Sequence, residues 1–444
     1  MTKRSGKIDT PLRFRAVKPN GPTWQCVYFS WRVADATWAR ERGLAAGIRS
    51  FTQTLNSHGV RLGTMLAPKC LALAPNNSMQ MVQNCIRAAA ADNVRFLLVI
   101  LPTDESALYN VVKKACDITH GITNVCMTRK KFLASGFANF RNVAMKVNLK
   151  LGGTNHQLNV SPLDIFGKLY EKEQNQTMIV GLDVTHPGPG VKNDAPSIAG
   201  IVASVDGDLA QWAGETCRQN TANKEMVDSL TGMFDRRLRL WQRNPKNKGE
   251  LPRNVIIYRD GISEGQYQTV LDEELVQIKS ACARVYGVGT EQPRITIVVV
   301  GKRHNTRFYE KTTRAEGHDN PQPGTVVDRT VTEARNWDFF LQAHGALQGT
   351  ARPTHYYVIY DEVFRGRNLA RPPAEALQEL THNMCYLFGR ATKAVSVCPP
   401  AYYADLICDR ARRYISRVYE GAQVPLAQQV MAVHRDLRDT MFYI

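Results

Sequence analysis

Short, nearly unbroken apolar runs recur along this sequence: Val94–Leu101, Thr177–Leu182, Asn254–Tyr258, Arg294–Val300 and Thr354–Tyr360. Runs of that length suit strands, and a strand that is apolar on both sides must be covered on both faces. Helical stretches lie between them, among them Ala107–Cys116, Asn223–Gln242 and Asp272–Val285. Thr103, Asp104 and Ser106 offer N-caps for the first of these. The alternation predicts α/β sheets with helices packed on their faces. A strand pattern also fits Asn124–Thr128, and Val143–Leu151 (VAMKVNLKL) alternates as a strand would before ending at Gly152-Gly153. That double glycine marks either a seam between domains or a hairpin turn. The first residues are basic and punctuated by Pro and Gly, so the expected division is a tail over 1–23, a domain over 24–153 and a second over 154–444.

Charge separates the two parts. Residues 1–150 carry 22 basic and 7 acidic side chains, whereas residues 151–444 carry 35 and 33. The basic excess in the first third points to a polyanionic partner there, against the plainer alternative of a basic soluble domain. At 43% hydrophobic and 22% charged, the composition excludes a disordered chain. Ten cysteines show no CxxC pair, so neither a zinc site nor a thioredoxin-type motif is expected. The opening MTKRSGKIDTPLRF lacks the apolar core of a secretory signal, and no run approaches the ~20 residues needed to span a bilayer. A cytoplasmic protein with reduced thiols and no membrane partner is the expectation.

Two carboxylates end strand-like runs: Asp183 follows MIVGL, and Asp260 follows VIIYR. A charge is costly to bury, so each should emerge at a strand end, facing solvent or a cation. Two such strands in one sheet would bring both acids to one edge, where a hard divalent cation finds oxygen ligands. The alternative is that each aspartate caps the next turn.

The strings around these acids are specific. Gly181–Pro187 (GLDVTHP) with Pro196–Gly200, and Tyr258–Gln266 (YRDGISEGQ), resemble the PIWI domain of Argonaute proteins. So do Gly301–Arg307 (GKRHNTR), His344–Tyr356 (HGALQGTARPTHY) and Pro400–Asp405 (PAYYAD). The match runs in order from about residue 94 to the C-terminus, and the earlier part is similar to a MID domain. Nothing resembles the N-terminal or PAZ domains. The resemblance is to the MID–PIWI half of a eukaryotic Argonaute, nearest to the quelling Argonautes of filamentous fungi. It implies a Rossmann-like MID domain followed by an RNase H-like PIWI domain.

The resemblance also assigns roles. Slicing members hold two Mg²⁺ ions, replaceable by Mn²⁺, on four ligands. Asp183 and Asp260 match two of them, Glu225 a third on a mobile segment before a helix, and Asp405 the fourth, with Asp409 as its rival one turn later. Asp183, Asp260 and Asp405 are the expected metal ligands; for Glu225 the alternative is an exposed first-turn glutamate. Cleavage of a complementary target RNA would leave 5′ phosphate and 3′ hydroxyl ends. Tyr109 and Lys113, four apart on a helix, share a face, so the ring can stack on a base while the ammonium meets its phosphate. Lys146 and Lys150 share a face of the expected strand. In the family these four positions and Arg410 bind the guide RNA's 5′ phosphate. Asn124 stands where glutamine is common, one methylene short, which puts its direct contact in doubt. Lys302, Arg303, His344, Arg352 and Arg390 match guide-backbone contacts; His304 reads as structural. Trp24, Trp31 and Trp38, seven apart, read as core or linker packing. The runner-up function is a guide-binding silencing platform without cleavage, and a third reading is a nuclease using DNA guides. Other silencing-complex proteins are not identifiable from the sequence.

Overall fold

The computed structural model describes residues 21–134, 137–167, 170, 173, 175–188, 191, 195–219, 224–287, 289–310, 320–346, 348–369, 371–425 and 430–444. The expected tail lies outside these residues up to position 20. The chain forms two compact units: one takes Pro11–Asn155 and Asp409–Ile444, the other His156–Pro189 and Pro196–Cys408.

In the first unit, β1 (Trp24–Ser30), β2 (Lys69–Ala72), β3 (Phe96–Leu101) and β4 (Thr123–Thr128) form a wholly parallel sheet ordered β2-β1-β3-β4. Such a sheet needs cover on both sides. Helices α1 (Leu44–Ser57), α2 (Ser78–Ala91), α3 (Ser106–Lys114) and α4 (Phe137–Lys150) supply residues to its two cores. Phe51 and Phe140 meet Trp24, Phe96 and Phe132 on one face, while Val82, Ile86, Leu108 and Val112 fill the other. Helix α3 has Glu105 at its N-cap, with no side-chain cap bond, so none of the three expected caps is used. Beyond Lys114 the chain widens into a π-helical turn, Ala115–His120.

The expected strand over Val143–Leu151 is the second half of α4. Phe140, Ala144 and Val147 recur at helical spacing and are buried against the sheet. Met145 and Leu149 are buried too, and this second buried side makes a helix imitate alternation. Lys146 and Lys150 still share a face, as i and i+4 of a helix. Gly152 closes it at φ 83°, and the Gly153 amide bonds back to Asn148 O (2.8 Å), so the double glycine is a helix stop and not a hairpin.

The second unit is built on eight strands ordered β10-β11-β12-β9-β8-β5-β6-β7. These are β5 (Thr177–Thr185), β6 (Ile198–Ser204), β7 (Trp212–Arg218), β8 (Asn254–Asp260), β9 (Arg294–Gly301), β10 (Thr325–Val327), β11 (Trp337–Gln342) and β12 (Thr354–Asp361). The central β5, β8 and β9 are parallel, and the flanking pairs are antiparallel. Helices α5 (Leu230–Arg243) and α6 (Val276–Tyr286) cover one face through Met233, Phe234, Leu238, Ile278 and Ala281. The expected helix from 223 begins only at Leu230. Residue 223 lies outside the described residues, and the backbone of 225–227 is bonded to side chains instead of to a helical turn.

Helices α7 (Pro373–Cys385) and α8 (Pro399–Tyr414) complete the chain's longer elements. Helix α8 approaches β5 closely because Gly181 has no side chain: a Cβ there would lie 1.9 Å from Pro400 O. Backbone cannot yield as a flexible side chain does. Gly181→Ala should therefore destabilise the second unit by about 2–3 kcal/mol, an overpacking cost. A thermal melt of the variant checks it, and an unchanged midpoint would mean that α8 is free to retreat.

Candidate active site and nucleic-acid interface

The β5–β8 register pairs Leu182 with Arg259, so Asp183 and Asp260 follow side by side on adjacent parallel strands. Both are buried, at 7% and 5% exposure, and do not face open solvent. Lys302, just beyond β9, places its Nζ 2.6 Å from Asp260 Oδ2. Burial and the neighbouring Asp260 push Asp183 up to about 6, although Arg259, Lys302 and the Val184 amide oppose the shift. Burial also raises Asp260, against the pull of Lys302, and Asp405 adds to the rise. Two carboxylates that disfavour each other's charge form a site that gains from a cation.

Glu225 stands on the irregular segment before α5. With His186 Nε2–H donated to Glu225 Oε1 (2.6 Å), His186 Nδ1 accepts from Ser197 Oγ (2.7 Å). Glu225 Oε2 is buried without a hydrogen-bond partner among the described residues. Arg259 fixes this segment from below: it pairs with the buried Glu274 (3.0 Å) and donates to Asp260 O and Glu225 O, both at 2.6 Å. Glu274 in turn accepts the Val227 amide at 3.1 Å. His186, Ser197, Arg259 and Glu274 were not singled out from sequence. The signals were there: His186 lies inside GLDVTHP, and Arg259 is a charge directly after the apolar residues of β8 and beside Asp260.

Asp405 lies exposed on α8, and its charge is felt at Asp260 and Lys302. Asp409 belongs to the other compact unit. The donors suit Mg²⁺ in kind, since all are carboxylates. Two further observations fit a cation: the unpartnered Glu225 Oε2, and the Lys302 ammonium standing against Asp260 as a cation would. No three potential ligands form a ready-made cluster among the described residues.

A second site lies within the first unit, where the first third's basic excess becomes concrete. Lys113 Nζ is bonded to Asn124 Oδ1 and stands 5.1 Å from the centre of the Tyr109 ring. Asn124 gives its amide hydrogens to Asp117 Oδ1 (2.8 Å) and Ile122 O (3.1 Å), so it braces Lys113 with no hydrogen left to donate. Arg410 donates to Asp117 Oδ2 (2.8 Å), Phe442 O and Tyr443 O (3.0 Å each), and Tyr414 OH also donates to Asp117 Oδ2 (2.8 Å). Lys150 Nζ meets Phe442 O.

Burial, Arg410 and Lys113 hold the Lys150 amine well below its ordinary value, and Lys146 contributes in the same sense. Asp117 is held low despite burial by Arg410, Lys113, Lys150 and the Tyr414 hydroxyl. Three cationic side chains, Lys113, Lys150 and Arg410, thus act on one buried carboxylate, and Lys146 acts on Lys150. Asp117, Tyr414 and the chain-end carbonyls were missed from sequence; Asp117, four residues after Lys113, was the one with a visible signal.

A third feature is a cavity of about 900 Å³ in the second unit, lined by Lys302, Arg303, His344, Arg352 and Lys393, with no acidic residue in its wall among the described residues. Arg390 precedes the lining residue Ala391. His344 is held low by burial. His304 Nε2 bonds Pro353 O (3.0 Å) and its ring packs edge-on against Phe340, a structural placement. Of the three spaced tryptophans, only Trp24 is core; Trp31 and Trp38 are 37% and 42% exposed, because they follow β1 onto the surface.

These features meet in one class of protein. A Piwi domain matches residues 96–416, and the chain belongs to the Argonaute family. Its sheets are accordingly the Rossmann-like fold of a MID domain and the RNase H-like fold of a PIWI domain. Rice (Oryza sativa subsp. japonica) argonaute PNH1 is 33% identical over 95% of this chain and 44% of its own length. The MID–PIWI domains of Neurospora crassa QDE-2 align over 97% of this chain and all of theirs, at 30% identity and a TM-score of 0.71. Kluyveromyces polysporus Argonaute, solved with a guide RNA, aligns over 97% of this chain and 49% of its own, at 27% identity and 0.84. The chain spans about two fifths of the length of the curated relatives it matches.

The lowered amine of Lys150 makes anion binding proton-linked. Sulfate carries no titratable proton near neutrality, so its binding should draw a fraction of a proton onto Lys150. Because a bound anion favours the charged amine, uptake should be greatest in the pH range between the lowered value of the free Lys150 amine and its value with the anion bound. Calorimetry in buffers of different ionisation enthalpy reads this directly; no proton exchange at any pH would mean that the anion does not sit beside Lys150.

Proposed function

We propose that this protein is a small-RNA-guided silencing protein that grips the 5′ phosphate of a guide RNA and cleaves complementary RNA. The observation that carries the reading is the excess of buried cations around Asp117. Lys113, Lys150 and Arg410 stand around a single carboxylate, with Lys146 felt at Lys150, an arrangement too costly to leave uncompensated in a protein interior. A terminal phosphate brings two negative charges and several acceptor oxygens, which suits that excess. Tyr109, with its ring beside Lys113, is suited to stack on the first base. The basic cavity of Lys302, Arg303, His344 and Arg352, with Arg390 nearby, is suited to the guide backbone beyond.

For cleavage, Asp183, Glu225, Asp260 and Asp405 would hold divalent cations, Mg²⁺ or Mn²⁺. When bound, such ions lower the pKa of water and stabilise a leaving oxygen. The chain's own part is positioning. Arg259 ties the Asp260 backbone to the Glu225 segment, His186 orients the Glu225 carboxylate, and the Asp183–Asp260 pairing fixes the acids' spacing. No described helix is long and apolar enough to cross a membrane. Ten free cysteines support a reducing, cytoplasmic setting. The domain limits we propose are 24–153 for MID and 154–444 for PIWI, with Asp409–Ile444 supplying Arg410 to the MID pocket.

Lys113→Ala should weaken binding of a 5′-phosphorylated RNA by about 1.5–3 kcal/mol, the scale of a charged hydrogen bond, and that of a 5′-hydroxyl RNA much less. Equal losses would reduce Lys113 to a general electrostatic contact. In the guide-loaded protein, Asp405→Ala should abolish Mg²⁺-dependent cutting of an end-labelled target and spare guide binding, while Asp409→Ala should keep cutting. The reverse pattern would move the fourth ligand to Asp409. Inactivity of the unaltered protein with both metals would favour a silencing platform without cleavage.

A further inference from the structure

Lys302 takes part in two sites at once. Its ammonium is the counter-ion of Asp260 at 2.6 Å, and its side chain lines the basic cavity with Arg303, His344 and Arg352. The side chain is 37% exposed and follows β9 in a segment outside any strand or helix, so its long stem can turn toward either neighbour. A single ammonium cannot serve Asp260 and a phosphate in the cavity equally well. While it rests on Asp260, it holds the place that a divalent cation would take and repels that cation. Its departure leaves two adjacent buried carboxylates with one cation fewer between them.

We propose that Lys302 is a switch between the two: a nucleic-acid phosphate in the cavity draws the ammonium off Asp260, and the acid pair then binds a divalent cation more tightly. The inference rests on the reading of Asp183 and Asp260 as metal ligands. Coupling of this kind is reciprocal, so a bound cation strengthens phosphate binding in the cavity by the same factor. Metal occupancy thereby follows occupancy by nucleic acid. Arg303 and Arg352 line the same cavity and, among the described residues, form no ion pair with the acids, so they can hold the phosphate without this second effect.

Mn²⁺ binding, read by electron paramagnetic resonance, tests the switch without any cleavage assay. The 444-residue chain is titrated alone and with a 5′-phosphorylated RNA of about ten nucleotides, within the usual site size for single strands. The same RNA on Asp183→Asn/Asp260→Asn protein supplies the background from Mn²⁺ on RNA. RNA should tighten protein-dependent Mn²⁺ binding by about fivefold or more, the lower end of ordinary coupling between sites. Lys302→Met should bind Mn²⁺ more tightly than the unaltered protein without RNA and lose most of the RNA-dependent gain. Lys302→Arg, which keeps the charge, should retain weak RNA-free binding, and it also controls for a folding defect in the methionine variant. Equal RNA-free affinity of the unaltered and Lys302→Met proteins overturns the switch, as does the absence of an RNA effect in the unaltered protein. If the double asparagine variant binds Mn²⁺ as the unaltered protein does, the acids are not the metal site and the underlying reading fails instead.

Discussion

The parallel pairing of β5 with β8 is the constraint on which the second unit's chemistry depends. Its register, Leu182 opposite Arg259, leaves Asp183 and Asp260 with no choice but to stand together. Burial raises both, Asp260 raises Asp183 further, and Asp405 adds to the rise of Asp260. The surroundings answer with charge from two directions. Arg259, fully buried, is committed to Glu274 and to backbone carbonyls, so it steadies the site without closing it. Lys302 comes from the surface and is the adjustable part. A slip of one residue between β5 and β8 would break both arrangements, because Arg259 and Asp260 point to opposite faces of the strand.

The first unit solves the inverse problem. Its pocket concentrates cations, and Asp117 is the buried acid that keeps them assembled. One carboxylate oxygen takes Asn124, and the other takes Arg410 and Tyr414. Asn124 passes the constraint on to Lys113. The chain-end carbonyls of Phe442 and Tyr443 do the same for Lys150 and Arg410. Charge-assisted bonds to carbonyls orient a cation without neutralising it. The pocket is therefore preorganised yet still electropositive.

Much of this was readable in the sequence, for identifiable reasons. The apolar runs became β3, β5, β8 and β9, because a strand covered on both faces leaves a continuous signal, and β12, whose burial alternates. Asp183 and Asp260 announced themselves as charges at the ends of such runs. Helix α4 was hidden because burial on two sides of a helix mimics period-two alternation. The late start of α5 was hidden for another reason. Side chains of Arg259, Glu274 and Gln277, and of the nearer Gln219, bind the preceding backbone, and no local pattern reports the three bonds that come from far away in sequence. Backbone carbonyls at the chain end carry no sequence signal whatever, and neither does the return of Asp409–Ile444 to the first unit.

Net charge and site charge are separable. Of the 22 basic residues in the first 150, Lys113 and Lys150 stand at the pocket with Lys146 felt at Lys150, and a further cation, Arg410, comes from the part whose charges nearly balance. Distributed surface cations raise the local concentration of a polyanion, and salt screens their effect over roughly 10 Å. Buried cations held around Asp117 are screened far less and act at hydrogen-bond range. In the proposed reading, the basic composition of the first third would account for attraction of any nucleic acid, whereas discrimination for a terminal phosphate would come from a few side chains that composition alone would never have grouped. Arg410 makes the point most clearly: it lies in the region least marked by charge, yet its guanidinium joins the buried acid to the chain-end carbonyls and so fixes the geometry of the site.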